Sequence, residues 1–256
     1  HALDDAKLTS QRMVEFFAEQ QVVEARRVRE ALKNLAKTRE VQEQDVPACN
    51  ILFQHAVSAN PSYVNFALLN ASGDALASAL PFTRQNLADR KEVIEAVATG
   101  EFAVGEYSVG KVSGVQILPY ANPVFGKDGR VTAVLIATQR LQDFKGFFEL
   151  ARLPEDSFVA LVDHRGTRLY RHPSKTETPI GSRISPKVWG EIQNVERQAV
   201  LLEKGTEGTR RVFAVHRLRL GPNREPYLNI IVSIPEAQAT ADAKRITTVY
   251  VAWLVV

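Results

Sequence analysis

Shifted by 93 residues, the sequence falls on itself: Phe66-Ala67-Leu68-Leu69-Asn70-Ala71-Ser72-Gly73 lands on Val159-Ala160-Leu161-Val162-Asp163-His164-Arg165-Gly166. Each stretch is an apolar strand closed by Asn or Asp and then Gly, the residue types that turn a chain back on itself. The same shift sets Tyr120 on Phe213, each entering a last hairpin. Two copies are too few for a solenoid, which needs roughly three or more to bury its repeat faces. The chain is therefore expected to hold two copies of one module, each with its own core. A length of 256 residues, 45% of them hydrophobic, is enough for two such cores.

The order of elements fills in that frame. The first 40 residues contain no Gly and no Pro. Met13, Phe16, Phe17, Val22, Val23, Val28, Ala31, Leu32 and Leu35 recur at helical spacing, which predicts one long amphipathic helix. Asp45 and Pro47 look like an N-cap and a first-turn proline, restarting a helix that ends near Asn60-Pro61. Strands are expected at Tyr63–Leu69 and Asp74–Leu80, then a helix over Asn86–Thr99 closed by Gly100. Three more strands follow, Phe102–Tyr107, Val115–Phe125 and Val131–Thr138, the last two joined at Gly126-Lys127-Asp128-Gly129. This is an α+β module with an antiparallel sheet. The domains are expected at 1–60 (a helical spine), 61–150, 151–235 and 236–256, with Leu153-Pro154 interrupting the pattern between modules. The last of these is read as a helix leading into a membrane segment. Its apolar end, Val249 to Val256, follows Lys244 and Arg245 and carries Tyr250 and Trp253, as the start of a membrane helix does. A tail buried in a core is the other reading.

Composition narrows the function. Net charge is +3 with Lys and Arg spread along the chain, which argues against nucleic acid as a partner. Arg210, Arg211, Arg217, Arg219 and Arg224 alternate with apolar residues and are expected on the wet face of a strand. The single cysteine, Cys49, lies in an apolar stretch and is expected as a buried small hydrophobe. No pair among the five histidines has the helical spacing of a zinc site, and no cysteine joins them. Gly-x-Ser-x-Gly is absent, and Gly105-Glu106-Tyr107-Ser108-Val109-Gly110 lacks the lysine and following helix of a phosphate loop. The expectation is a chain that is not an enzyme and needs no metal or cofactor.

Several motifs resemble a known family. Asn86-Leu87-Ala88-Asp89-Arg90, Ala96-Val97-Ala98-Thr99-Gly100-Glu101-Phe102, Gly105-Glu106-Tyr107 and Val112-Ser113-Gly114 resemble the membrane-distal module of double-Cache sensor domains. Pro123 to Val131 resembles that module's closing hairpin. Val162-Asp163-His164-Arg165-Gly166 and Arg171-His172-Pro173 resemble the membrane-proximal copy. The resemblance covers almost the whole chain. It implies two PAS-like modules on a long N-terminal helix, in the extracytoplasmic (periplasmic) part of a transmembrane receptor that pairs as a homodimer. The expected parent is a sensor histidine kinase, with a diguanylate cyclase, a chemoreceptor or a soluble solute-binding protein as alternatives.

The resemblance also implies a ligand site in the distal module rather than the proximal one. Family members place an Arg after the second strand to grip a ligand carboxylate, and Arg90 stands there. A guanidinium suits the task because its planar fork makes two parallel charge-assisted hydrogen bonds. Amino-acid-binding members carry Trp and Tyr where this chain has Glu92 and Val93, and an Asp where it has Ala137-Thr138-Gln139. Those departures argue against an α-amino acid and leave a small polar or anionic metabolite. Tyr107 and Tyr120 are expected as pocket walls, Gln116 and Thr138 as neutral hydrogen-bonding groups, and Arg84 as a second anion-binding candidate. The other reading of Arg90 is a tie between loops through Asp89 or the backbone.

Overall fold

The computed structural model describes residues 2–148, 153–205 and 208–236. Helix α1, Ala2–Ala36, runs unbroken through the stretch that lacks Gly and Pro. Its buried side chains are Ala6, Ser10, Val14, Phe17, Ala18, Gln21, Ala25, Val28, Leu32 and Ala36, a stripe at spacings of three and four. Phe16 and Val23, expected in that stripe, are 54% and 58% exposed. Each lies beside the stripe rather than on it, because one residue turns an α-helix by about 100°. A short α2, Arg39–Gln42, follows. Asp45 then caps α3, Val46–Ala59, accepting from the Ala48 N–H at 3.2 Å. Cys49 is buried in α3, where it donates to the Glu40 carbonyl. Burial pushes its thiol up to about 11, so it stays protonated at neutral pH.

The first module contains β1 (Tyr63–Asn70), β2 (Ala75–Ser78), α4 (Lys91–Thr99), β3 (Ala103–Val104), β4 (Ser108–Val109), β5 (Gln116–Phe125) and β6 (Val131–Arg140). Its antiparallel sheet has the order β2-β1-β6-β5-β3, with β4 also pairing to β5. The expected strand Phe102–Tyr107 is thus two short pieces. Helix α4 begins at Lys91, five residues later than its pattern suggested. Asn86 holds the preceding segment out of the helix: its amide donates to Asp74 and the Ser72 carbonyl, and its oxygen accepts from the Ala88 N–H. Val93 and Ala96 of α4 cover Ala67, Leu69, Ala103, Ala121, Val134 and Ile136 on one sheet face. After β6 a 3₁₀ turn, Leu141–Phe144, and α5, Lys145–Phe148, leave the module.

The second module repeats the plan with β7 (Phe158–Asp163), β8 (Arg168–His172), α6 (Pro186–Gln193), β9 (Gln198–Lys204), β10 (Arg210–Leu218) and β11 (Leu228–Pro235). Its order is β8-β7-β11-β10-β9, the same path through a second, separate sheet. The turn chemistry is repeated as well. Asn70 Oδ1 accepts from the N–H groups of Ser72 and Asp74, and Asp163 Oδ1 from those of Arg165 and Thr167. Gly73 and Gly166 close these turns at φ of +85° and +80°, where a side chain would be strained.

The 93-residue shift fails in the last hairpin, by one residue on its first strand and by two on its second. Ala67 and Ala121 both pair with Ile136, while Ala160 and Val215 both pair with Ile231. Val215 therefore corresponds to Ala121, and Phe213 to Pro119 rather than to Tyr120. A slip of one exchanges the faces of a sheet. Phe213 accordingly joins the core under α6, whereas Tyr120 is absent from the core under α4. The basic stretch needs a second correction. Arg211 is only 4% exposed and Val212 is fully buried, because β10 lies between β9 and β11 with both faces covered.

The chain divides into two compact units, Val22–Phe144 and His1–Gln21 with Lys145–Val256, so the helical segment 1–60 is shared between them. The Gln238–Thr248 segment and the apolar end Val249–Val256 lie outside the described residues. Among the described residues no helix is long and apolar enough to cross a membrane.

Candidate ligand-binding site

The first module encloses a cavity of roughly 700 Å³, counting its open mouth, between the α4 face of the sheet and two loops. Ala67, Ile117, Pro119 and Ile136 form an apolar floor from β1, β5 and β6. Leu80, Phe82 and Leu87 line it from the segment before α4, and Val109 to Ser113 from the turn between β4 and β5. Nine of the twenty lining residues are polar or charged, Lys111 among them. They include Arg90, Glu92, Thr138, Asn65, Ser78 and Ser108.

Arg90 is the N-cap residue of α4, with extended backbone and no side-chain cap. Its Nη1 donates to Ser108 Oγ at 2.9 Å, which fixes the guanidinium against the cavity wall. The neighbouring Lys91 is committed elsewhere. It donates to the Val104 carbonyl at 2.8 Å and pairs with Glu95 at 2.7 Å, tying the first turn of α4 to β3. Glu92 is buried in the cavity wall. Desolvation pushes its carboxyl up to about 6, against the pull of its own backbone N–H, Arg90 and Lys91. Gly105 makes room for it: a Cβ there would stand 2.4 Å from Glu92 Oε2 and 2.6 Å from Pro119.

Of the six expected site residues, the structure brings Arg90 and Thr138 to this cavity. Thr138 Oγ1 donates to the Asn65 carbonyl at 3.4 Å. The others stand outside the lining. Gln116 Nε2 donates to the Tyr107 hydroxyl at 3.1 Å, so these two meet each other instead. Tyr120 donates to Gln139 Oε1 at 2.7 Å and stacks on Phe102. Arg84 is exposed, and its neighbour Gln85 lines the cavity in its place. Glu92 was visible in the sequence only as a departure from the amino-acid-binding pattern. Its position in the first turn, next to Val93 on the buried face of α4, was the signal available. Among the described residues no three His, Cys, Asp or Glu side chains gather as metal ligands.

Neither a family model nor a curated protein sequence matches the chain. Solved structures do match, over nearly its full length. One is the extracellular domain of a protein described as a histidine kinase, rpHK1S-Z16, with a TM-score of 0.77 at 17% identity over 93% of this chain and 98% of that one. A second is the ligand-binding domain of the Pseudomonas fluorescens chemoreceptor CtaA, bound to L-isoleucine. It has a TM-score of 0.69 at 17% identity over 93% and 95% of the two chains. A third is a domain of a sensory box/GGDEF family protein from Vibrio parahaemolyticus, with a TM-score of 0.67 at 11% identity over 94% and 100%. The chain has the fold of these sensor domains. In this sensor fold the cavity lies where sheet, helix N-terminus and two loops converge. Small changes in the loops therefore alter its chemistry without disturbing the core.

Proposed function

We propose that the chain is the extracytoplasmic ligand-sensing part of a transmembrane signalling receptor, and that its first module, the membrane-distal one, binds a small polar or anionic metabolite. The observation that carries this reading is Arg90, held by Ser108 in the wall of a mostly apolar cavity. A guanidinium fixed beside apolar surface grips a carboxylate in a forked, charge-assisted pair while the rest of the ligand is desolvated. The fold supports the same assignment, because proteins sharing it over more than nine-tenths of this chain include extracellular and ligand-binding domains. They span a kinase, a chemoreceptor and a GGDEF protein, and a kinase remains our choice of output. Leu8, Phe16 and Val23 are apolar and exposed along α1, which supports pairing with a second copy in the tethered receptor.

Glu92 favours a second reading of the ligand. A carboxylate in the same wall as Arg90 can accept from an ammonium, so a ligand with both an acidic and a basic group would satisfy both. CtaA structures hold L-isoleucine, L-leucine and L-serine, which keeps a zwitterion in view despite the missing aromatic pair. A thermal-shift screen of carboxylates with and without an amino group decides between the readings, since a bound ligand raises the melting temperature by mass action. Shifts confined to amino carboxylates select the zwitterion. Shifts with simple carboxylates that Arg90→Ala removes select the anion, and no shift with either class contradicts both.

A further inference from the structure

The second module holds a cavity of its own, roughly 560 Å³ counting its mouth, under α6. Strand correspondence makes it the counterpart of the first. Ala160 and Ile231 stand where the first cavity has Ala67 and Ile136. Arg168 and Arg171 stand where it has Ala75 and Ser78, and Arg211 and Phe213 where it has Ile117 and Pro119. Three guanidiniums thus replace two aliphatic side chains and a serine. Arg168 and Arg171 are three residues apart and would point to opposite faces of a regular strand. An irregularity in the β7–β8 pairing at Leu161/Val162 inserts one residue and turns both to the cavity side.

The arginines are deeply placed. Arg211 donates from Nε to Ser233 Oγ at 2.8 Å and from Nη2 to the Asp156 carbonyl. Arg171 donates from Nη1 to the Pro173 carbonyl. Their guanidinium carbons lie 4.4 Å (Arg171) and 5.2 Å (Arg211) from the centre of the Phe158 ring, whose face attracts cations. Arg168 is 7% exposed and donates from Nη1 to Ser182 Oγ, yet its buried Nε meets no hydrogen-bond partner among the described residues. An unmet buried donor is costly, more so on a charged group, and a ligand oxygen in this cavity would satisfy it. Burial depresses the Arg168 pKa, but a guanidinium stays charged at any physiological pH.

We propose that this cavity is a second ligand site, distinct from the one at Arg90, and that it takes a compact dicarboxylate. Carboxylate oxygens match the planar forks of Arg168 and its neighbours. A short carbon chain packs on Phe158, Ile184, Val188, Phe213 and Ile231, surface that inorganic anions cannot use. The sensor would then respond to two ligands, with occupancy of one module able to bias the other only by a difference in affinity between states.

Succinate is the probe, with acetate and inorganic phosphate alongside, titrated calorimetrically into the Arg90→Ala chain, in which binding at the first cavity is weakened about tenfold or more. Succinate is expected to bind, acetate at least about tenfold more weakly. Arg168→Gln should weaken succinate by about tenfold or more, the loss of one charge-assisted pair. Arg210→Gln removes an exposed charge on β10, next to Arg211, and should leave it unchanged. If Arg168→Gln does not fold, succinate should still raise the melting temperature of the Arg90→Ala chain more than acetate or phosphate does. No succinate binding up to about 10 mM overturns the site. Phosphate binding as tightly as succinate overturns the dicarboxylate, and equal losses from both substitutions reduce the effect to general charge. None of these results touches the reading of the first cavity.

Discussion

Glu92 is 4% exposed, and its carboxyl titrates near 6 instead of the usual 4.5 because burial disfavours its charge. The native state therefore holds this proton more tightly than the unfolded chain. Stability from this group is intact below about pH 4.5 and is lost as pH rises through about 6, a cost of about 2 kcal/mol at neutral pH. Glu92→Gln should raise stability at pH 7 to 8 by about 1–2 kcal/mol and leave it nearly unchanged near pH 4. Urea unfolding across that range checks it, and a gain independent of pH would contradict it. At this scale the sequence was only partly legible. That Arg90 stands at a cavity was legible because the motif around it is local. Tyr120 and Gln116 were misplaced because their partners, Gln139 and the Tyr107 hydroxyl, depend on which sheet face each side chain takes. Composition does not encode that face; register does.

Helix α1 shows where periodicity is decisive and where it is not. Its existence follows from a long run free of Gly and Pro, but Phe16 and Phe17 are adjacent and equally apolar. Only packing decides that Phe17 is buried against Phe148 while Phe16 faces outward. Phe17→Ala should cost about 3–5 kcal/mol, whereas Phe16→Ala should stay within about 0.5. Thermal unfolding of the two variants measures this, and similar losses would place both rings in the core. Helix α4 was foreseen by its apolar spacing and Gly100, but not its late start, which Asn86 sets through contacts with Ser72 and Asp74. The arginines of β8 and β10 were hidden for a related reason. Alternation marks a strand, yet it cannot tell a strand with one wet face from one covered on both.

For the whole molecule, the repeat was legible because each copy closes its first turn with the same Asn or Asp and Gly chemistry. The fold followed from it, and the two sheets share one strand order. The linings of the two cavities were not legible, since they come from loops and single substitutions on equivalent positions. In the proposed membrane-tethered receptor, Phe16→Cys or Val23→Cys chains should cross-link between subunits along α1, while Val28→Cys, buried in the stripe, should not. Absence of cross-links at the exposed positions in a receptor that still signals would exclude pairing through this helix. The central claim concerns the first cavity, and calorimetry tests it most directly. For the tightest ligand from the thermal-shift screen, Arg90→Ala is predicted to weaken binding by about 1.5–3 kcal/mol, roughly 10- to 150-fold. Unchanged affinity in a folded Arg90→Ala chain would contradict the assignment of this cavity as the sensing site.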